Sequence, residues 1–311
     1  MGDSRPEVGA GVADADLSGQ TVVVTGATDG IGRETALALG RLGAHVVVHG
    51  RDRQKGAAVI ERLASTAADG TDLLLADFAT QAAVREFAAG LRERRDAIDV
   101  LVNNAGGYFT EGRRTEDGVE YTIAVNHLAP FLLTHELLDR LAATDGRVVN
   151  VSSDAHRGAT IDFESFRAVD SYTGWTAYGQ SKLANVLFTR ELHRRLRAAG
   201  SGVTTDALHP GGVPGTSFAR NMPLPARLAT RAVETLPDAL TGPFVTTVAE
   251  GAATPVYLAV TDEAGEGDYY AGCRRRRPAR AARNDDLARR LWRVSADCTG
   301  VERDAIAPAT D

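Results

Sequence analysis

The sequence predicts a single doubly wound α/β domain, an approximately seven-stranded parallel sheet with helices on both faces. Two observations carry this. Short β-branched runs alternate with longer helical stretches from residue 20 to about residue 272, and most of the strand runs are continuously apolar, as in a sheet covered on both sides. No linker and no internal repeat interrupts the series.

The strands are expected at Thr21 to Thr25, His45 to His49, Leu73 to Ala76, Val100 to Asn103, Arg147 to Ser152 and Val203 to Leu208, with a weaker one at Asp268 to Ala271. Between them, Arg33 to Leu42 is rich in Ala and Leu and stops at Gly43, a C-terminal cap. Gln81 to Arg95 sets Val84, Phe87, Ala88 and Leu91 on one helical face. Gly118 to Ala142 and Ala177 to Ala199 are the longest helical stretches. Residues 1–18 and 303–311 read as mobile tails around a domain spanning 19–302. Asp154 to Thr176 and a Pro- and Gly-rich segment at about 211–244 lack periodicity and follow carboxyl ends of strands, where such folds bind ligands; the second is read as the substrate loop.

The 311 residues carry a net charge of -6, with basic residues spread along the chain, which argues against nucleic-acid binding. Cys273 and Cys298 form neither a CxxC pair nor a metal-spaced cluster, so neither a disulfide framework nor a bound metal is expected. No apolar run nears the roughly 18 residues of a membrane span. Residues 1–18 read as neither signal peptide nor anchor. A cytoplasmic protein without membrane attachment is expected. Only two of the 35 basic residues, Lys55 and Lys182, are lysine. In so arginine-rich a chain, a surviving lysine marks chemistry that a guanidinium, which does not lose its proton, cannot perform.

Strand one runs into Thr25-Gly26-Ala27-Thr28-Asp29-Gly30-Ile31-Gly32, with a helix directly after. Glycines there permit a tight turn and let helix N-terminal amides approach a pyrophosphate, so Gly26, Asp29, Gly30, Ile31 and Gly32 are cofactor candidates. The end of strand two reads His49-Gly50-Arg51-Asp52. Glycine occupies the position where a carboxylate would hold a free ribose hydroxyl, and Arg51 can pair with a 2'-phosphate. NADP(H) is therefore expected over NAD(H), with Asp52 capping the next helix.

Tyr178 and Lys182 stand at i and i+4 near the start of a long helix, on one face. A nearby cation lowers a phenol pKa, which would let Tyr178 exchange a proton near neutral pH.

At TGATDGIG (25–32), NNAG (103–106), VNVSS (149–153), YGQSK (178–182) and HPG (209–211), the chain resembles the classical short-chain dehydrogenase/reductase family, over about 185 residues in the family's order. It is closest to the retinol dehydrogenase and WW-domain oxidoreductase branch, on residues 115–134, 181–192 and 288–301. The resemblance implies a Rossmann-type fold and a catalytic tetrad. Tyr178 would be the general acid/base, and Lys182 would lower its pKa and bind the nicotinamide ribose. Ser153 would hydrogen-bond the substrate oxygen, and Asn126 would hold a water in a proton relay. Asp77 would contact the adenine, with Phe78 beside it in the cofactor site. Asn103, Asn104, Ala105 and Gly106 would line the adenosine side, and Pro210, Gly211 and Val213 would flank the nicotinamide. The chain departs from the family in placing a threonine one position late, at Thr216, and the interval from Ser153 to Tyr178 is lengthened, as in the retinol dehydrogenase branch.

Together these readings give an NADP(H)-dependent oxidoreductase acting on a ketone or aldehyde and its alcohol. The substrate is expected to be small and apolar, a lipid, steroid-like, terpenoid or aromatic polyketide carbonyl, such as a bacterial secondary metabolite. The alternative is a catalytically silent NADP-binding sensor or scaffold, which would not need a complete Asn-Ser-Tyr-Lys set. Homo-oligomerisation stays open. Arg274 to Arg277 reads as a solvated patch. Pro130 lacks the N–H that would bond the Asn126 carbonyl. That carbonyl is expected to be free to accept a water leading to Lys182.

Overall fold

The β-branched runs form strands in the expected order in a computed structural model, which describes residues 5–66, 68–212, 247–304 and 306. β1 (Thr21–Val24), β2 (His45–Gly50), β3 (Thr71–Leu75), β4 (Val100–Asn103), β5 (Arg147–Val151), β6 (Thr204–His209) and β7 (Glu266–Ala271) pair in parallel, in the order β3-β2-β1-β4-β5-β6-β7. An eighth strand, β8 (Arg274–Arg276), pairs antiparallel with β7. It corrects the expected count of seven. A run of arginines has no apolar pattern to announce a strand, yet exposed charged residues are what an edge strand carries.

Strand side chains alternate between two cores. Val22, Val24, Val46, Val48, Val100 and Val102 pack in one cluster with α2 (Gly30–Arg41), α3 (Arg53–Ala64) and the later helix Val248–Val260. Val23, Val47, Leu101 and Val148 face the other side, against α4 (Gln81–Arg92), α6 (Ala129–Glu136), α8 (Gly174–Ala198) and the C-terminal helix Asp285–Thr299. Both faces are covered, which is why these strands read as unbroken apolar runs. The chain reverses direction across the sheet between β1 and β4, and the crevice outside their carboxyl ends is the switch point of the fold.

Three details depart from expectation. Residues 5–18 are packed rather than a free tail: α1 (Pro6–Gly9) buries Glu7, which accepts two hydrogen bonds from Arg41 at 2.6 and 2.7 Å, and Ala10 and Leu17 join the core. The stretch expected as one helix from Gly118 is broken into α5 (Tyr121–Ile123), a π-helical turn (Ala124–Leu128), α6 and α7 (Leu138–Ala142). The widened turn directly precedes the segment in which Pro130 supplies no N–H. At the C-terminus, the Trp292 indole donates to the Arg303 carbonyl at 2.8 Å, so the start of the last segment is tied down. Val213 and residues 213–244 of the expected substrate loop lie outside the described residues. Among the described residues no helix is long and apolar enough to cross a membrane.

Candidate active site

The carboxyl ends of β1, β2, β4 and β5 open onto a trough of about 780 Å³. Its floor begins at the glycine turn. Gly26 has φ +63°, a left-handed conformation that favours glycine. A Cβ on Gly32 would collide with Asn104 Nδ2 and the Gly26 carbonyl. Side chains from neighbouring strands hold the turn. The Gly26 N–H donates to His49 Nδ1 at 3.1 Å, while His49 Nε2 bonds the Ala76 carbonyl at 3.1 Å. Asn104 donates through Nδ2 to the Thr25 carbonyl at 2.8 Å, and the Asn104 and Ala105 amides both donate to Thr25 Oγ1 at 2.9 Å. Burial pushes His49 down to about 4, so it stays neutral and keeps both bonds. Asp29 caps α2, accepting from the Gly30 amide at 2.8 Å.

Charge gathers at the β2 end. Arg51 stands 3.6 Å from Asp77 and, like it, faces solvent along the rim. Asp52 caps α3 through the Gln54 and Lys55 amides, the structural role expected of it. That leaves Lys55 on the rim, 3.7 Å from Asp29. Gly50 is small for a local reason: a Cβ there would run into the Thr28 side chain. Phe78 stacks on His49 with ring centres 3.9 Å apart and closes the trough below.

The other end holds Tyr178 and Lys182, both buried on α8. The Tyr178 hydroxyl shares a hydrogen bond with Ser153, which follows β5 and caps a 3-10 turn. The neighbouring Ser152 is structural: its hydroxyl donates to the Lys182 carbonyl at 2.7 Å. Lys182 Nζ donates to the Val151 carbonyl at 3.1 Å. Burial pushes Tyr178 up to about 12, with only the Ser153 bond opposing it, and pushes Lys182 down to about 8. The expectation of a phenol titrating near neutrality is therefore not met, because burial disfavours the phenolate.

Asn126 is fully buried and clamps the loop after β4. Its Oδ1 accepts from the Gly107 amide and its Nδ2 donates to the Gly107 carbonyl, both at 2.9 Å, with a further bond to Ser181 Oγ at 3.0 Å. Its main-chain carbonyl is not free. Asn185 Nδ2 donates to it at 2.9 Å, so the expected water on that carbonyl is replaced by a side-chain amide.

Of the adenosine-side candidates, Ala105 and Gly106 line the trough. Asn103 does not: it is buried under the sheet end and donates to Asn150 Oδ1 at 2.9 Å and Thr134 Oγ1 at 3.1 Å. The correction is one residue wide, because successive strand residues face opposite sides and Asn104 takes the trough-facing place. Pro210 lines the far wall, followed by Gly211 at φ +92°. Sequence reasoning missed Thr28, His49, Lys55 and Asn185. Only Lys55 left a signal, as one of two lysines.

A trough with a backbone cradle at one helix N-terminus, cations on one rim and Ser153 beside the buried Tyr178 and Lys182 at the other end fits a dinucleotide. Among the described residues no three His, Cys, Asp or Glu side chains gather to hold a metal.

A family model described as short chain dehydrogenase matches residues 20–224. Human retinol dehydrogenase 13 is 39% identical over 307 residues, covering 96% of this chain and 90% of its own length. Bovine dehydrogenase/reductase SDR family member 13 is 41% identical over 295 residues, 92% of this chain and 75% of its own. Among solved structures, an uncharacterised protein from Mycobacterium paratuberculosis superposes with TM-score 0.74 at 34% identity, covering 93% of this chain and 96% of that one. An NADP active-site complex of RhlG from Pseudomonas aeruginosa does so with TM-score 0.63 at 26% identity, covering 82% and 94%.

Proposed function

The chain belongs to the short chain dehydrogenase family, and from that premise we propose that it is an NADP(H)-dependent reductase of apolar ketones or aldehydes. The observation that carries the reading is the placing of Tyr178, bonded to Ser153, and Lys182 at the end of the trough that begins at the glycine turn, with burial pushing the phenol up to about 12 and the amine down to about 8. A phenol neutral at pH 7 is a proton donor in waiting, which suits carbonyl reduction better than alcohol oxidation. Tyr178 would give its proton to the carbonyl oxygen, and Ser153, already bonded to that phenol, would hold the same oxygen. Lys182 would keep a positive charge behind the phenol as it loses its proton, and present its remaining N–H donors to ribose hydroxyls. A bound nicotinamide supplies the hydride.

NADP(H) over NAD(H) is supported by Arg51 and Lys55 on the rim and by the absence of room for a carboxylate at Gly50. The RhlG neighbour, solved with NADP, is consistent with this. An apolar substrate is supported by the aromatic side chains around the phenol. Trp175 is 58% exposed with its ring centre 6.5 Å from that of Tyr178, and Tyr108 packs edge-on from another side at 6.0 Å. The retinol dehydrogenases among the relatives bear the name of an apolar alcohol, so long-chain and terpenoid aldehydes head the substrate panel. The two free, half-buried cysteines suit a reducing compartment such as the cytoplasm. The test is NADPH consumption against terpenoid, steroid and aromatic polyketide carbonyls. Turnover of at least one with NADPH preferred is expected. NADPH bound without turnover of any would favour the silent binder.

A further inference from the structure

A line of buried polar groups leads away from the site to the C-terminal helix, and the proposed chemistry does not use it. Asn185 lies three residues after Lys182 on α8. Its Nδ2 donates to the Asn126 carbonyl at 2.9 Å and to the Val151 carbonyl at 3.4 Å, the latter also accepting from Lys182 Nζ at 3.1 Å. Two carbonyls on one side fix the orientation of this amide: its NH2 faces the site and Oδ1 faces away. Oδ1 then needs a donor, and His127 Nδ1 stands 3.3 Å from it. With the proton on Nδ1, Nε2 is left as an acceptor for the Ser295 hydroxyl, 2.8 Å away. Asn126, His127 and Ser295 are wholly buried and Asn185 nearly so. Burial pushes His127 down to about 4, which keeps the ring neutral with one donor and one acceptor.

We propose that His127 and Ser295 are positioning residues that lock the Asn185 amide, which in turn holds the Asn126 and Val151 carbonyls and so directs the Lys182 ammonium. The proposal rests on the reading that Lys182 serves the reaction. The physical reason is directional. Were the amide to turn over, Oδ1 would face two carbonyl oxygens, and Lys182 would lose the fixed geometry of its acceptor. The neutral ring with its proton on Nδ1 prevents that turn, and the Ser295 hydroxyl, able to donate as well as accept, gives Nε2 its partner. The C-terminal helix thereby takes part in the site without touching it.

Two measurements separate this role from simple core packing. Nitrogen-15 NMR of histidine-labelled apo protein, with His127 assigned by its absence in His127→Asn, is expected to show a neutral ring protonated on Nδ1. A ring protonated on Nε2, or an imidazolium at pH 7, would overturn the lock. In kinetics, His127→Asn keeps an N–H donor near the place of Nδ1, whereas His127→Leu fills the space with apolar atoms. The Leu variant is expected to lose about tenfold in kcat at nearly unchanged KM, while the Asn variant keeps most of its rate. If His127→Leu does not fold, Ser295→Ala, smaller by one hydroxyl, is read for the same loss of kcat. A Leu variant, or this substitute, as active as the parent would overturn the proposal. Absence of any carbonyl turnover by the parent would strike the functional reading instead, and the tautomer would still decide the lock.

Discussion

The Lys182 ammonium lies 5.6 Å from the centre of the Tyr178 ring and donates to the Val151 carbonyl at 3.1 Å. The two groups are buried together, and burial drives both toward their neutral forms, up to about 12 for the phenol and down to about 8 for the amine. Of the pair, the amine therefore titrates nearer neutrality. It is charged below about 8 and loses its proton above.

A pH dependence follows, with its sign. Carbonyl reduction uses a protonated phenol and a charged lysine, so kcat/KM for reduction should be level near pH 7 and fall as pH rises through about 8. The check is the kcat/KM profile of the free enzyme. A profile level to pH 10 would remove the Lys182 charge from the account.

Cofactor choice should depend on Arg51. Losing one charge-assisted bond to a phosphate costs about 1.5–3 kcal/mol, so Arg51→Ala should weaken NADPH binding by about tenfold or more and leave NADH nearly unchanged. Lys55 on the same rim should preserve part of the preference. Titration calorimetry with both cofactors reads this directly, and an unchanged ratio would dismiss Arg51.

Gly32→Ala places a methyl against Asn104 Nδ2 and the Gly26 carbonyl. Overpacking of this kind costs about 1–3 kcal/mol, and it falls on the turn that would cradle the pyrophosphate. The variant should melt lower than the parent and bind NADPH weakly; normal binding would show that the turn does not meet the cofactor.

Acid should destabilise the fold through its buried imidazoles. His49, His127 and His135 are each pushed down to about 4 by burial, so the unfolded chain binds more protons than the folded one between pH 6.5 and about 4. Stability is present above 6.5 and lost as pH falls through that window. Asp206, pushed up to about 7, and Glu120, raised by burial, act in the opposite direction, while His156 and His209, also lowered by burial, add to the side of the three imidazoles. Melting temperatures measured from pH 7 to 4.5 should fall steadily, and a constant value would contradict the buried neutral rings.

How much was legible in the sequence depends on how local each signal is. The parallel sheet could be read from β-branched runs, and Tyr178 with Lys182 from helical spacing, since both depend on neighbours in the chain. Asn103 was assigned to the trough because a motif names a stretch, whereas only the alternation of a strand end decides which side chain faces the ligand. The π-helical turn at Asn126 and its Asn185 partner could not be read, because the donor that caps this carbonyl comes from another helix, 59 residues away. The Glu7–Arg41 pair likewise joins an apparent tail to α2 through a contact that composition cannot announce. Arg274 to Arg276 became an edge strand on the strength of β7 beside it.

The most direct test of the central claim sets the parent protein beside Tyr178→Phe with NADPH and one accepted apolar aldehyde, recording cofactor binding and cofactor consumption together. The phenylalanine ring can pack in the same place but has no proton to give. The account predicts that both proteins bind NADPH about equally and that consumption falls by about a hundredfold or more in the variant. A Tyr178→Phe protein that consumes NADPH at the parent's rate would contradict it.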